Sequence, residues 1–79
     1  MSVKFKSIPE MYEKEKSGIK PNTIRKIEGF DERFNKLVSG ECKTIVIENK
    51  ETGEKFFREI TDVSIWNDLF IISWKHKKE

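Results

Sequence analysis

The sequence contains few of the residues that tie small proteins together covalently or through metal ions. One cysteine, Cys42, and one histidine, His76, occur among 79 residues. These numbers exclude an internal disulfide and a conventional structural zinc site within one chain, and we expect no metal or other cofactor. The four glycines are scattered, so they cannot form a glycine-rich phosphate loop. No Cys-His or Ser-His-Asp set suited to nucleophilic catalysis is evident.

Long apolar runs are also lacking. No run approaches the length that spans a membrane, and residues 1–6 lack the apolar core of a signal peptide. An unpaired cysteine is typical of a reducing compartment. We therefore expect a cytoplasmic protein without a membrane partner, in which Cys42 is a buried structural thiol rather than a nucleophile.

Aromatic side chains compensate for a low apolar content. Hydrophobic residues make up 35% of the chain and charged residues 38%, but six Phe, two Trp and one Tyr offer large surfaces for burial. The length allows one domain, residues 1–79, close to the lower limit for a core without disulfides or metals. The net charge of +2 neither requires nor excludes a polyanionic partner, so nucleic-acid binding would depend on local basic clusters.

The first half of the chain predicts a strand and two helices. Val3 and Phe5 alternate with lysines, as in a strand with one buried face. Ser7 is a candidate cap for a helix over residues 9–17, where positions 8, 11, 12 and 15 follow a helical period. The second helix lies between Asp31 as its cap and Gly40 as its stop. Its predicted apolar face consists of Phe30, Phe34, Leu37 and Val38.

The second half has the composition of strands. Residues 42–49 and 55–63 are rich in Ile, Val, Thr and Phe and predict a β-hairpin. Residues 64–68 predict a second turn, and the nearly continuous apolar run 69–74 predicts a strand covered on both faces. The basic residues 75–78 predict a mobile segment that includes His76. The fold class is therefore α+β.

Residues 17–25 are the most informative segment for function. Gly18 can close the first helix in a left-handed conformation, and Pro21 prevents further helix and favours an extended backbone. Alternate side chains of an extended segment share a face, so Thr23 and Arg25 point one way, with Lys20 just upstream. This set can bind an anion or a carbonyl oxygen. The alternative interpretation is a surface turn that leads into an edge strand, with both cations solvated.

The order of these elements resembles the small ASCH domains of the PUA-like superfamily. The resemblance rests on a helix followed by Ser-Gly-x-Lys-x-x-Thr-x-Arg, then Thr44-Ile-Val-Ile, a strand over residues 56–63 and finally Leu69-Phe-Ile-Ile-Ser-Trp. It implies a compact β-barrel of about five strands with two flanking helices. It also implies a cleft at the helix-loop-strand motif that recognises RNA or a nucleobase.

The same family includes acetylcytidine amidohydrolase. By motif position, the resemblance to that enzyme implies that Lys20 and Thr23 are catalytic and that Arg25 is the motif arginine. The glutamate that the enzyme takes from a later helical segment has no counterpart, because residues 64–68 are too few for that helix. A second alignment places residues 30–40 on the motif helix and Lys43 and Thr44 on the motif strand, but it leaves residues 1–29 outside the domain.

Three functional hypotheses follow. The first is a module that binds RNA or a modified nucleoside, and its candidate ligand-binding residues are Lys20, Asn22, Thr23, Arg25, Arg33, Lys43 and Trp66. In it, Arg33, Lys43 or residues 75–78 contact phosphates, and Trp66 stacks on a base or is simply a core or lid residue. The second is a minimal amidohydrolase acting on acylated nucleosides. The third is a small interaction factor, encoded by a phage or mobile element, that binds a host protein.

Overall fold

The computed structural model describes residues 2–26 and 31–77. In chain order the elements are β1 (Ser2–Ser7), α1 (Pro9–Ser17), β2 (Asn22–Lys26), α2 (Glu32–Ser39), β3 (Thr44–Asn49), β4 (Lys55–Trp66) and β5 (Leu69–Lys75). Within the described residues this confirms the α+β class, the five strands and the two helices. Two residues used in the sequence analysis, Phe30 and Lys78, lie outside the described ranges.

The strands form one mixed sheet in the order β1-β3-β4-β5-β2. The pair β1 and β3 is parallel, because α1, β2 and α2 intervene in the chain, while the other pairs are antiparallel. The expected barrel is therefore an open, barrel-like sheet, whose two edges are β1 and β2. Among the described residues, the side chain of Arg25 on β2 joins these edges by donating to the carbonyl oxygen of Lys6 and to the hydroxyl of Ser7, each at 2.9 Å.

One face of the sheet carries the core. In β1 the side chains of Val3, Phe5 and Ser7 are buried in alternation with exposed neighbours. In β5 the buried residues are Phe70, Ile72 and Trp74. The intervening side chains of β5 are only half-buried, so the prediction that both faces of this strand are covered was wrong.

Helix α2 closes the core at one end. Its Phe34 ring stacks on Phe70 with a centroid separation of 4.4 Å, and Leu37 is buried beside it. Val38 was predicted on the same face but is 63% exposed, because it follows Leu37 by a turn of about 100°. The predicted burial of Cys42 is confirmed.

The helix boundaries agree with the sequence except at one cap. The Asp31 side chain accepts from the Arg33 amide, and Gly40 ends α2 with φ of 79°. Ser7 does not cap α1, since the cap residue is Ile8, which makes no side-chain cap bond. Ser7 instead belongs to β1, and its hydroxyl donates to Glu15 at 2.7 Å.

The second predicted turn is shorter than expected. Strand β4 continues through Trp66, and the connection to β5 consists of Asn67 and Asp68 alone. Asn67 takes a left-handed φ of 56°, which suits two-residue hairpin turns and which Asn tolerates. Trp66 therefore stands at the exposed end of a strand rather than in a flexible turn.

Gly18 is required at the end of α1 for two reasons. Its φ is +90°, and a Cβ built on it would lie 2.8 Å from the imidazole of His76. The imidazole of His76, which was predicted to lie in a mobile segment, thus lies against the end of α1, while the residue itself is exposed.

We expect Gly18→Ala to lower the free energy of unfolding by about 1–2 kcal/mol in urea denaturation, because a side chain is strained in the left-handed region and also meets His76. Gly53→Ala is the matched control, since Gly53 has φ of +77° and open space around it. Gly53→Ala should show only the loss of stability that comes from the strained backbone. In a His76→Ala background, the loss caused by Gly18→Ala should fall to the same value. An equal loss for both glycine variants would contradict a steric role of His76.

Candidate functional site

The predicted motif borders a pocket of about 310 Å³ between α1, β2 and the end of β1, which we call the motif pocket. Its polar and charged lining residues are Lys6, Ser7, Glu15, Lys20, Thr23, Arg25 and Lys50. Its apolar wall consists of Ile8, Met11 and Ile24. Pockets that hold small ligands begin at roughly 300 Å³, so the space suits a small molecule or one unit of a polymer.

Strand β2 presents Thr23 and Arg25 on one face, as the alternation predicted. Arg25 Nε donates to the Thr23 hydroxyl oxygen at 3.0 Å. Thr23 is 2% exposed and pairs with Ile72 of β5, so its position is fixed by the sheet. Because the Thr23 oxygen already accepts from Arg25, its own hydrogen is directed toward a different acceptor.

Glu15 is the site residue that the sequence analysis missed. It is 1% exposed, its Oε1 accepts from the Ser7 hydroxyl at 2.7 Å, and its Oε2 lies 3.5 Å from Lys20 Nζ. The helical period of α1 could have identified Glu15 as a buried residue, because it places Glu15 on the same face of the helix as the buried Tyr12.

Lys20 connects the helix terminus to the strand. Its ammonium donates to the Asn22 carbonyl oxygen at 3.0 Å and forms the ion pair with Glu15. The Lys20 side chain is 23% exposed, so its ammonium lies at the surface of the pocket rather than in the core. An ammonium has three N–H donors, and at least one of them is left for a ligand.

Arg25 lies between this pocket and a second one. Burial lowers the pKa of Arg25, the negative charge of Glu15 opposes that effect, and the positive charge of Arg33 adds to it. The second space, which we call the seam pocket, measures about 390 Å³. Its basic lining residues are Lys4, Lys6, Arg25, Lys26 and Arg33, and its other lining residues are Phe5, Asp31 and Phe34. The two pockets share Lys6 and Arg25 and are therefore adjacent.

The structure brings some of the predicted ligand residues together and separates others. Lys20, Thr23 and Arg25 line the motif pocket, and Arg33 lines the seam pocket. Neither pocket is lined by Asn22, Lys43 or Trp66 within the part of the chain that is described. Asn22 contributes its carbonyl oxygen to Lys20, Lys43 is exposed before β3, and Trp66 is 65% exposed on the far side of β5. The ligand-binding roles of all seven residues stay predictions.

The described basic residues at the end of β5 and directly after it lie elsewhere. Lys75, His76 and Lys77 line a third pocket together with Thr44, Phe57, Arg58 and Glu59. It shares no described residue with the other two pockets. Phosphate contacts from this segment would thus be made at a separate surface.

Residues 2–26 and 31–77 contain no group of three or more His, Cys, Asp or Glu side chains that could hold a metal ion. None of their helices is long and apolar enough to cross a membrane.

Comparison with known proteins leaves the family open. No family model matches the chain, and no curated protein or solved structure matches it either. The resemblance to ASCH domains consequently depends on the sequence pattern alone and stays a prediction.

Proposed function

We propose that this protein binds RNA or a modified nucleoside, with a base or nucleoside seated in the motif pocket. The observation that supports the proposal is the convergence of Glu15, Lys20 and Thr23 on one open pocket of about 310 Å³. A surface turn with two solvated cations, the alternative interpretation of this segment, would not surround such a space with a buried carboxylate and a buried hydroxyl.

The three groups complement the edge of a nucleobase. A base edge combines N–H donors with carbonyl or ring-nitrogen acceptors. Glu15 offers carboxylate oxygens as acceptors, Lys20 offers N–H donors and the Thr23 hydroxyl can donate. Single-stranded RNA exposes its base edges to side chains in this way, whereas bases in a duplex are already paired.

The apolar and basic surroundings fit the rest of such a ligand. Ile8, Met11 and Ile24 provide a wall against which a flat ring can pack. Lys6 and Lys50 line the same pocket, and both stand at positions where a phosphate next to the bound base would be attracted.

We expect Thr23→Val to reduce the affinity for a bound nucleoside about tenfold, because it removes one hydroxyl from a buried polar set without changing the volume. The measurement is a heteronuclear NMR titration of the protein with the four ordinary nucleosides and acetylcytidine. Thr61→Val is the control, since Thr61 is exposed on β4 and lines none of the three pockets. Its affinity should stay within about twofold of the parent.

The proposal is contradicted if no nucleoside or short single-stranded RNA perturbs the amides around the motif pocket. Equal losses for Thr23→Val and Thr61→Val would also contradict it. A Lys20→Ala variant adds a second measurement, because it removes the only lysine that pairs with Glu15 in the described structure.

Glu15 gives specific support to the amidohydrolase as a second candidate. The chain lacks the helical insertion that would carry a catalytic glutamate, but α1 places a different carboxylate in the pocket with Lys20 and Thr23. In such a reaction the Thr23 oxygen attacks the acyl carbon, the C–N bond breaks, and the amine leaves with the proton that the Thr23 hydroxyl has given up. Water then cleaves the acyl ester on Thr23, which releases the acid and restores the hydroxyl. Turnover of acetylcytidine that Thr23→Val and Lys20→Ala abolish would favour this candidate, and no turnover of acylated nucleosides would exclude it.

A further inference from the structure

Two arginines lie over one aromatic ring at the seam between β1 and β2. The Cζ atom of Arg25 is 5.0 Å from the centroid of the Phe5 ring, and the Cζ atom of Arg33 is 4.3 Å from it. Phe5 is 3% exposed and belongs to β1, so both guanidinium groups are held at defined positions against a rigid surface. Two like charges are thereby kept close together.

Both guanidinium groups retain hydrogen-bond donors. Each has five N–H bonds. Arg25 uses three of them, on Thr23, Lys6 and Ser7. Arg33 also uses three, one on the Lys4 carbonyl oxygen and two on the Asp31 carboxylate. Two N–H bonds on the terminal nitrogens of each arginine are therefore left for a ligand.

The seam pocket has a net positive charge even when its carboxylate is included. Asp31 is its one lining carboxylate in the described structure, and it is bound to Arg33 at 2.6 Å. Glu48 lies 3.5 and 3.9 Å from Lys4 and Lys6 and offsets part of their charge. Lys26 makes no ion pair with the described residues, and Arg25 has no carboxylate within salt-bridge distance among them. An anion in this pocket would thus meet unneutralised cations.

We propose that the seam pocket, where Arg25 and Arg33 lie over Phe5, binds a phosphate group of the same ligand whose base occupies the motif pocket. Arginine forks match the oxygens of a phosphate, and a phosphate has enough acceptors to serve two arginines and Lys26 at once. This inference rests on the proposed function, because it assigns the two adjacent pockets to one ligand. It makes that ligand a phosphorylated nucleotide or RNA segment rather than a free nucleoside.

The test compares three probes on the purified protein: inorganic phosphate, the uncharged nucleoside cytidine, and the trinucleotides of uridine, cytidine and adenosine. At low salt the best trinucleotide should bind at least about tenfold more tightly than cytidine, and the difference should shrink as salt increases. Inorganic phosphate should perturb the NMR signals of Lys4, Lys6 and the Arg33 side chain and should compete with the trinucleotide.

Matched variants separate a phosphate site from general attraction. Lys26→Gln should lower the trinucleotide affinity about fivefold to tenfold and leave cytidine binding within twofold of the parent. Arg33→Lys, which keeps the charge but loses the fork, should show a similar selective loss. Lys36→Gln on the same helix removes an equal charge outside both pockets and should change neither affinity by more than twofold.

The two proposals can fail separately. Cytidine and trinucleotides that bind with equal affinity, or equal losses for Lys26→Gln and Lys36→Gln, overturn the phosphate site and leave the nucleoside pocket intact. The opposite outcome overturns the nucleoside pocket and leaves the anion site intact. In that outcome phosphate and the trinucleotide bind in a way that depends on Lys26 and Arg33, but no nucleoside binds and Thr23→Val does not change the trinucleotide affinity.

Discussion

Replacing Arg25 by Ala is expected to lower the free energy of unfolding by about 3 kcal/mol, measured by urea denaturation followed by far-UV circular dichroism. Three charge-assisted hydrogen bonds are lost together, to Thr23, Lys6 and Ser7. Such bonds contribute about 1.5–3 kcal/mol each, but they are not additive, and water recovers part of the loss at this half-buried position.

The expected size of this stability loss follows from the position of Arg25 in the sheet. Strands β1 and β2 are edges without a backbone ladder between them in the described structure, so their mutual position depends on side chains. Among the described residues, Arg25 is the one whose side chain hydrogen-bonds from one edge to the other. Its loss should therefore loosen the wall that the two pockets share and weaken ligand binding as well as the fold.

Two variants test this account of Arg25. Arg25→Lys keeps the positive charge, but a lysine ammonium lacks the planar guanidinium geometry that serves three acceptors at once. This variant should therefore retain less than half of the stability that Arg25→Ala loses. Lys26→Ala, at the next position on β2, should change stability by no more than about 0.5 kcal/mol, because the Lys26 side chain is exposed and forms no ion pair with the described residues. A fully stable Arg25→Ala variant would show that the sheet edges are held by other contacts.

Local features of the sequence determine much of this fold and were readable in advance. The helix stops at Gly18 and Gly40, the cap at Asp31 and the shared face of Thr23 and Arg25 depend on a few neighbouring residues each. The hairpin of β3 and β4 follows from two strand-forming runs around a Gly-containing turn. These predictions are confirmed because backbone geometry and residue type decide them without reference to the rest of the chain.

Contacts between distant residues decide what the sequence could not show. Ser7 is a good cap by residue type, but the sheet takes it into β1, where Glu15 and Arg25 bind it. His76 packs on Gly18, which is remote in sequence, because β5 ends beside the terminus of α1. The pairing of Phe5 with two arginines likewise requires β1, β2 and α2 to be assembled. No short-range pattern carries this information.

The candidate site divides in the same way. The Lys20, Thr23 and Arg25 set was found from chain geometry alone, and it does line one pocket. Glu15 was assigned correctly to the helical period of α1, but a carboxylate on a charged helix is ordinarily solvated. Only the assembled structure shows that this position faces a lysine and a serine from other elements.

Replacing Glu15 by Ala is expected to cost about 3 kcal/mol of stability, because it removes a buried carboxylate that two other groups depend on. The Ser7 hydroxyl loses its acceptor at a position that is 5% exposed, and Lys20 loses its counter-charge. Leaving buried polar groups without partners costs about 1–3 kcal/mol for each group, and removal of one member of a buried ion pair costs about 3–5 kcal/mol. Because the Lys20 side chain is partly exposed, solvent compensates for part of the lost ion pair, and the expected total of about 3 kcal/mol lies below the sum of these two contributions.

The variant Glu15→Gln separates the fold from the ligand. Its amide oxygen can still accept from Ser7, so it should retain most of the stability that Glu15→Ala loses, with a deficit of about 1 kcal/mol from the missing ion pair. Its side chain now carries N–H donors and no charge, so a base edge that donates to Glu15 should bind at least about tenfold more weakly. Glu13→Gln, on the exposed side of the same helix, should alter neither quantity. Unchanged nucleoside affinity in a folded Glu15→Gln variant would make the carboxylate a structural group only, and the base would then have to be read by Lys20 and Thr23 alone.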